Sequence, residues 1–173
     1  MAKKFPDFIP HLTKLKKGRL APAFEASDQN GRKVTLENLK GRKTILFFYP
    51  KDDTPTCAKE ACNFKTNYSK LKKMGFEVIG VSADTEQKHQ KFREKYKLPF
   101  RLIADIEHQL INAFDVWGEK LFMGKILTSI CRTTFVIDEN GMIEKVISKV
   151  KSGEAAEQVL EELGMSTVSN SYF

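Results

Sequence analysis

Apolar residues come in short runs along this chain, separated by charged stretches of helical period. The first unbroken run, Ile45, Leu46, Phe47, Phe48 and Tyr49, stops at Pro50 and the polar loop Lys51-Asp52-Asp53. A long helical pattern then begins at Thr54-Pro55-Thr56, so the order reads as buried strand, loop and helix start. Cys57, Ala61, Phe64, Tyr68 and Leu71 step by four and three, which places them in one stripe down that helix with Cys57 at its head. Phe76 to Ser82 reads as a second buried strand, Thr85 to Lys97 as a charged surface helix and Phe100 to Ile103 as a short strand. Leu110, Ile111 and Phe114 mark one face of a further helix.

The flanks have hairpin character. Upstream, FEAS and KVTL enclose DQNGR, where Asn30-Gly31 is a turn signal, and Glu37 to Lys40 is a short turn or helical piece. Downstream, Thr133 to Asp138 and Met142 to Lys149 enclose Asn140-Gly141, and Glu154 to Leu163 closes the chain with Ala155, Ala156, Val159, Leu160 and Leu163 inward. Strand and helix alternate between these hairpins, as in an α/β core. The predicted fold is thioredoxin-like, a central mixed sheet flanked by helices with an N-terminal β-hairpin.

Length and charge add little beyond this. A chain of 173 residues suits one domain, 41% hydrophobic and 29% charged residues are ordinary for a globular protein, and no internal repeat is visible. The net charge of +7 lies mostly in an arm, because residues 1–19 hold Lys3, Lys4, Lys14, Lys16, Lys17 and Arg19 against Asp7. Pro6 and Pro10 interrupt that arm, which reads as a solvated extension without nucleic-acid function. Residues 20–165 are taken as the folded domain and 166–173 as a polar tail. No run approaches a membrane span or a secretory signal, so a cytoplasmic location is expected, with three cysteines kept reduced.

The candidate chemistry centres on sulfur. Pro55 suits a first helical turn, and Thr54 or Thr56 is placed to cap the free amides there, which sets Cys57 at the positive end of the helix dipole. Helix N-termini and nearby cations lower a thiol pKa from about 8.5 to roughly 3.5–7.5, so Cys57 is expected to be thiolate-rich rather than a buried structural thiol. Cys62 lies five residues on, beside the stripe. On an intact helix this spacing gives a Cα separation of about 8.7 Å, whereas a disulfide tolerates roughly 4.4–6.8 Å, so any bond between them requires the first turn to unwind. From the residues alone, Cys62 is either a partner of Cys57 or incidental, Arg132 a surface charge or a ligand, and Thr54 a cap or a hydrogen-bonding group. Cys131 falls on the opposite strand face from Arg132 and reads as a packed thiol. Trp117 to Lys120 is either part of a rim over the site or simply packed. The scattered His11, His89 and His108 and the four-residue gap between Cys57 and Cys62 do not make a zinc set, and no Gly-rich phosphate loop is present, so no metal or cofactor is expected.

The run FFYPKDDTPTCAKEAC, with Pro50, Thr54 and Cys57 in P-x-x-x-T-x-x-C and Cys62 five on, resembles the PrxQ-type peroxiredoxins, also called bacterioferritin comigratory proteins. APAFEASDQNGRKVTLENLKG, VIGVSAD, VWGEKLFMGK and RTTFVIDENGMI are similar to stretches of that family in the same order, so the resemblance spans roughly residues 20 to 163. It implies that Cys57 is the peroxidatic cysteine, that Cys62 is the resolving one, and that Pro50, Thr54 and Arg132 shield the thiolate and orient the peroxide. It further implies hydroperoxide substrates, thioredoxin or a similar dithiol as reductant, no cofactor, no membrane partner, and a monomer or weak homodimer. Where the family commonly has Gly and Thr around the reactive cysteine, this chain has Thr56 and Ala58. A redox-sensing binding protein using the same thiols without turnover is the competing reading. A thiol–disulfide oxidoreductase is disfavoured, because C-x-x-x-x-C replaces C-x-x-C.

Overall fold

A computed structural model describes residues 8–165, and the expectations for residues 1–7 and for the polar tail lie outside this range. In chain order its elements are β1 (Glu25–Ser27), β2 (Lys33–Thr35), α1 (Leu36–Leu39), β3 (Lys43–Phe48), α2 (Pro55–Lys73), β4 (Phe76–Ser82), α3 (Glu86–Tyr96) and β5 (Arg101–Ala104). There follow α4 (Gln109–Ala113), β6 (Trp117–Phe122), β7 (Lys125–Ile130), β8 (Thr133–Ile137), β9 (Ile143–Ile147), a 3-10 turn (Ser152–Glu154) and α5 (Ala155–Glu162).

The central sheet has the order β5-β4-β3-β8-β9. β3, β4 and β5 run parallel, while β8 is antiparallel to β3 and β9 to β8, so the sheet is mixed as the sequence predicts. Both faces are covered, which is why the strands read as unbroken apolar runs rather than as alternation. Ile45, Phe47 and Tyr49 join one core with Ala61 and Phe64 of α2, Phe92 of α3 and Val159 of α5. Leu46 and Phe48 join the other with Leu36 and Leu39 of α1 and with Leu110, Ile111 and Phe114 beside α4. At roughly 1.5–3 kcal/mol for each fully buried large side chain, these two cores fix β3 at the centre of the domain. Its carboxyl end therefore has little freedom, and the loop that follows starts from a fixed point.

Local chemistry agrees with the pattern at most boundaries. Asp28 Oδ1 closes the first turn by accepting from the amides of Asn30 and Arg32, and Asp138 Oδ1 does the same for Asn140 and Met142 in the β8–β9 turn. Thr85 caps α3 by accepting from the Lys88 amide at 3.2 Å, and Lys97 ends that helix in a left-handed conformation.

Two features depart from the sequence reading. The β6–β7 hairpin is one, with Leu121, Phe122, Met123, Ile126 and Leu127 exposed on it. It was missed because its apolar residues are not gathered on one buried face, so neither the period-2 pattern nor burial marks it as sheet. The other is the arm from His11 onward, which lies along the start of β6: the His11 amide donates to the Glu119 carbonyl at 3.1 Å and the Thr13 hydroxyl to the Phe114 carbonyl at 2.7 Å.

Gly80 on β4 shows how closely the first core is packed. A Cβ there would lie 2.8 Å from both Leu102 Cδ2 and Phe47 Cζ and 3.1 Å from Tyr49 Cε1. Gly80→Ala is therefore expected to destabilise the chain by about 1–3 kcal/mol through overpacking. Urea unfolding checks this: the midpoint falls with an unchanged slope, and an unchanged midpoint would contradict the packing account.

Candidate active site

The strand-to-helix junction is shaped by its own residues. Tyr49 continues β3 by one bond, its amide donating to the Val81 carbonyl at 3.1 Å, and the chain then turns through Asp53 in a left-handed conformation. Pro55 opens α2 as expected, and Thr54 occupies the cap position, its carbonyl accepting from the Ala58 amide at 2.8 Å. The predicted side-chain cap is absent. Thr54 Oγ1 donates instead to the Lys51 carbonyl at 3.1 Å, because the loop places that oxygen within reach first. The opening turn of α2 thus begins without the hydroxyl acceptor that usually satisfies its amides.

Cys57 heads the buried stripe, at 2% exposure. Arg132 comes to it from the two-residue link between β7 and β8, and Nη2 donates to Cys57 Sγ at 3.1 Å. The other arm of the guanidinium pairs with Glu60 Oε2. Glu60, on α2 one turn past Cys57, is fully buried, and its Oε1 has no partner among the described residues. Burial pushes the Glu60 pKa up to about 7 although the Arg132 charge and hydrogen bond pull it down. For Arg132, burial disfavours the cation, but the negative charge of Glu60 and of Cys57 outweighs it, so its pKa lies above the ordinary value.

Sequence reasoning missed Glu60. Its only signal was position, three residues after Cys57 and so on nearly the same helix face, and a glutamate in KEAC would ordinarily face water. Tyr68 of the predicted stripe is half-buried, whereas Ala58, placed beside the stripe, is buried.

A cleft of about 550 Å³ opens over the sulfur. Pro50, Thr54 and Arg132 line it together with Cys57, so the loop and the distant arginine meet at one place. Lys120 and Phe122 of β6 and Leu127 of β7 form the facing wall, and burial followed by the Arg132 charge lowers the Lys120 pKa. Of the predicted Trp117–Lys120 rim, only Lys120 borders the cleft. Trp117 instead packs on His108 with ring centres 4.7 Å apart.

The remaining cysteines lie outside the cleft lining. Cys62 is half-buried on an unbroken α2, whose spacing keeps it from bonding Cys57, and all three thiols are free. Cys131 is half-buried with its sulfur 3.9 Å from the Ser129 carbonyl, and burial pushes its thiol pKa up.

Residues 17–146 match the AhpC/TSA family. The putative peroxiredoxin bcp of Coxiella burnetii is 46% identical over 143 residues, covering 82% of this chain and 95% of that protein. Peroxiredoxin Bcp of Escherichia coli K12 is 42% identical over 149 residues, covering 86% and 96%. Among solved structures, a Xanthomonas campestris bacterioferritin comigratory protein with alkyl peroxide reduction activity superposes with a TM-score of 0.78 at 32% identity, covering 86% of this chain and 98% of that one. The chain therefore belongs to the AhpC/TSA family, and within it to the Bcp or peroxiredoxin Q group.

Proposed function

We propose that the chain is a thiol peroxidase that reduces hydrogen peroxide and organic hydroperoxides through Cys57. The observation that carries this reading is the sulfur of Cys57 at the opening turn of α2, 3.1 Å from Arg132 Nη2, at the floor of a cleft bordered by Pro50 and Thr54. The Cys57 thiolate attacks one peroxide oxygen, the O–O bond breaks, and the leaving oxygen departs as water or alcohol after taking a proton. Cys57 is left as a sulfenic acid. Arg132 has donors to spare for the oxygen that gains charge, and Pro50 and Thr54, whose hydroxyl donates to the Lys51 carbonyl, line the same cleft. The apolar walls from Pro55, Phe122 and Leu127 suit an organic substituent on the peroxide.

Resolution follows by movement of α2. The first turn unwinds, Cys62 condenses with the sulfenic acid, and water is lost as the Cys57–Cys62 disulfide forms. The missing side-chain cap favours this step, since a threonine cap would contribute about 1 kcal/mol to keeping the turn closed. Thioredoxin or a similar dithiol then returns both thiols, which suits a reducing, cytoplasmic compartment. Residues 20–165 form the catalytic domain in this reading, acting as a monomer or weak homodimer without cofactor or metal.

Cys57→Ser is expected to abolish peroxide consumption above background, and undiminished turnover in that variant would refute the assignment. Cys62→Ser is expected to consume one equivalent of peroxide and then stall with thioredoxin present. Peptide mapping after a single equivalent distinguishes the outcomes: a Cys57–Cys62 link is expected in the parent, and a Cys57–Cys131 link would reassign the resolving thiol.

Glu60 gives a pH prediction. Its folded pKa of about 7 exceeds the ordinary 4.5, so folding favours its protonated form; the resulting stability is full below about pH 4.5 and is lost as the pH rises through about 7. In Glu60→Gln that loss disappears. Unfolding free energy measured between about pH 5 and 8 should therefore fall less steeply in the variant than in the parent, and parallel slopes would contradict the burial-driven shift.

A further inference from the structure

The loop that carries Pro50 and Thr54 is held from behind the cleft. Midway between them, Asp52 sits in a buried polar cluster to which four elements contribute. Tyr49 Oη donates to Asp52 Oδ1 at 2.6 Å, and His89 Nδ1 of α3 lies 2.7 Å from Asp52 Oδ2. His89 Nε2 is 2.9 Å from the Ile103 carbonyl of β5. The Asp52 amide donates to Asp84 Oδ2 at 2.8 Å, and the Ser82 hydroxyl at the end of β4 donates to that same oxygen at 2.6 Å. His89 and Tyr49 are fully buried.

The ring of His89 is held from both sides: Nδ1 lies against the Asp52 carboxylate and Nε2 against the Ile103 carbonyl, both within hydrogen-bond distance. Asp52, Asp84 and His89 bring potential ligand atoms within 4.8 Å of one another, and these same residues are already hydrogen-bonded to each other and to Tyr49, Ser82 and the Ile103 carbonyl. Burial and the Asp52 carboxylate push the Tyr49 pKa well up, which keeps the phenol a donor.

Buried ionic pairs are on average no more stabilising than apolar packing of the same volume. What a fully satisfied polar cluster adds is direction, since each member accepts only one geometry. Here the directed residue lies two positions from Pro50 and two from Thr54, and neither His89 nor Asp52 borders the cleft.

We propose that His89, acting through Asp52, is a positioning residue of the peroxidase: it fixes the 50–54 loop so that Pro50 and Thr54 stay in register with the Cys57 sulfur and Arg132. This rests on the peroxidase reading above and names a residue outside the P-x-x-x-T-x-x-C run. A misplacement of about 1 Å at such a loop is enough to cost up to roughly 10²-fold in rate.

The test separates loop geometry from thiolate reactivity. Stopped-flow oxidation of Cys57 by hydrogen peroxide requires the framed site, whereas alkylation of Cys57 by iodoacetamide, read by peptide mapping apart from Cys62 and Cys131, requires only that the reagent reach a reactive sulfur. In His89→Leu the peroxide rate constant is expected to fall about tenfold or more, with alkylation within about twofold of the parent. His89→Asn places an amide N–H where Nδ1 sits and is expected to recover the peroxide rate to within about threefold. Tyr49→Phe, which deletes one hydroxyl bonded to Asp52, decides the matter if His89→Leu does not fold; a selective loss of about threefold or more is expected. A peroxide rate matching the parent in a folded variant, an equal loss in both reactions, or no recovery in His89→Asn would overturn the proposal. A parent chain inert to peroxide would overturn the peroxidase reading as well, whereas variants that match an active parent overturn this inference alone.

Discussion

One guanidinium ties the catalytic end of this domain together. Arg132 reaches the Cys57 sulfur with one arm and the buried Glu60 carboxylate with the other, so a strand junction, a helix start and a helix interior are fixed by the same planar group. A buried carboxylate facing no cation would be strongly unfavourable, and a buried cation equally so. Each therefore requires the other, and the sulfur takes one of the donors that remain. The raised Glu60 pKa shows that this balance is not complete: burial outweighs the arginine, and one carboxylate oxygen stays without a partner. The cluster is a precise frame for negative charge at sulfur, maintained at some cost in stability.

In the proposed cycle the helix that presents the cysteine must also release it. α2 is long and well packed along Ala61, Phe64 and Leu71, which anchors its body against the sheet, but its first turn has Pro55 and no side-chain cap. The holding contacts along the helix are thus uneven, fewest at the end that carries Cys57. On the other side of that turn the chain is fixed again at Asp52. The segment that the proposed Cys57–Cys62 bond would rearrange is bounded by packed structure at both ends.

The facing wall has a different physical character. The β6–β7 hairpin pairs only with itself and leaves several large apolar residues in solvent, Met123 at 86% exposure among them. It borders the cleft through Lys120, Phe122 and Leu127, so one wall of the cleft rests on the least buried strands of the domain. The arm from His11 braces the start of this hairpin, which couples the basic N-terminal segment to the cleft wall.

Much of this was set by local pattern. The strand Phe76–Ser82 was read with the bounds it has, the limits given for α3 coincide with its caps Thr85 and Lys97, and Pro50, Thr54 and Cys57 were found because eight consecutive residues carry them. A strand buried on both faces and a helix stripe leave their period in the sequence, and so does a loop whose chemistry is contiguous. Contacts between distant residues leave no such trace. Arg132 lies 75 positions from Cys57 and reads by itself as a surface charge, Glu60 looks solvated until Arg132 meets it, and His89 and Asp52 lie 37 positions apart. Nothing local requires those pairings. They exist because β3, β4, β5 and β8 are adjacent in one sheet, which brings the ends of separate segments to the same few ångströms.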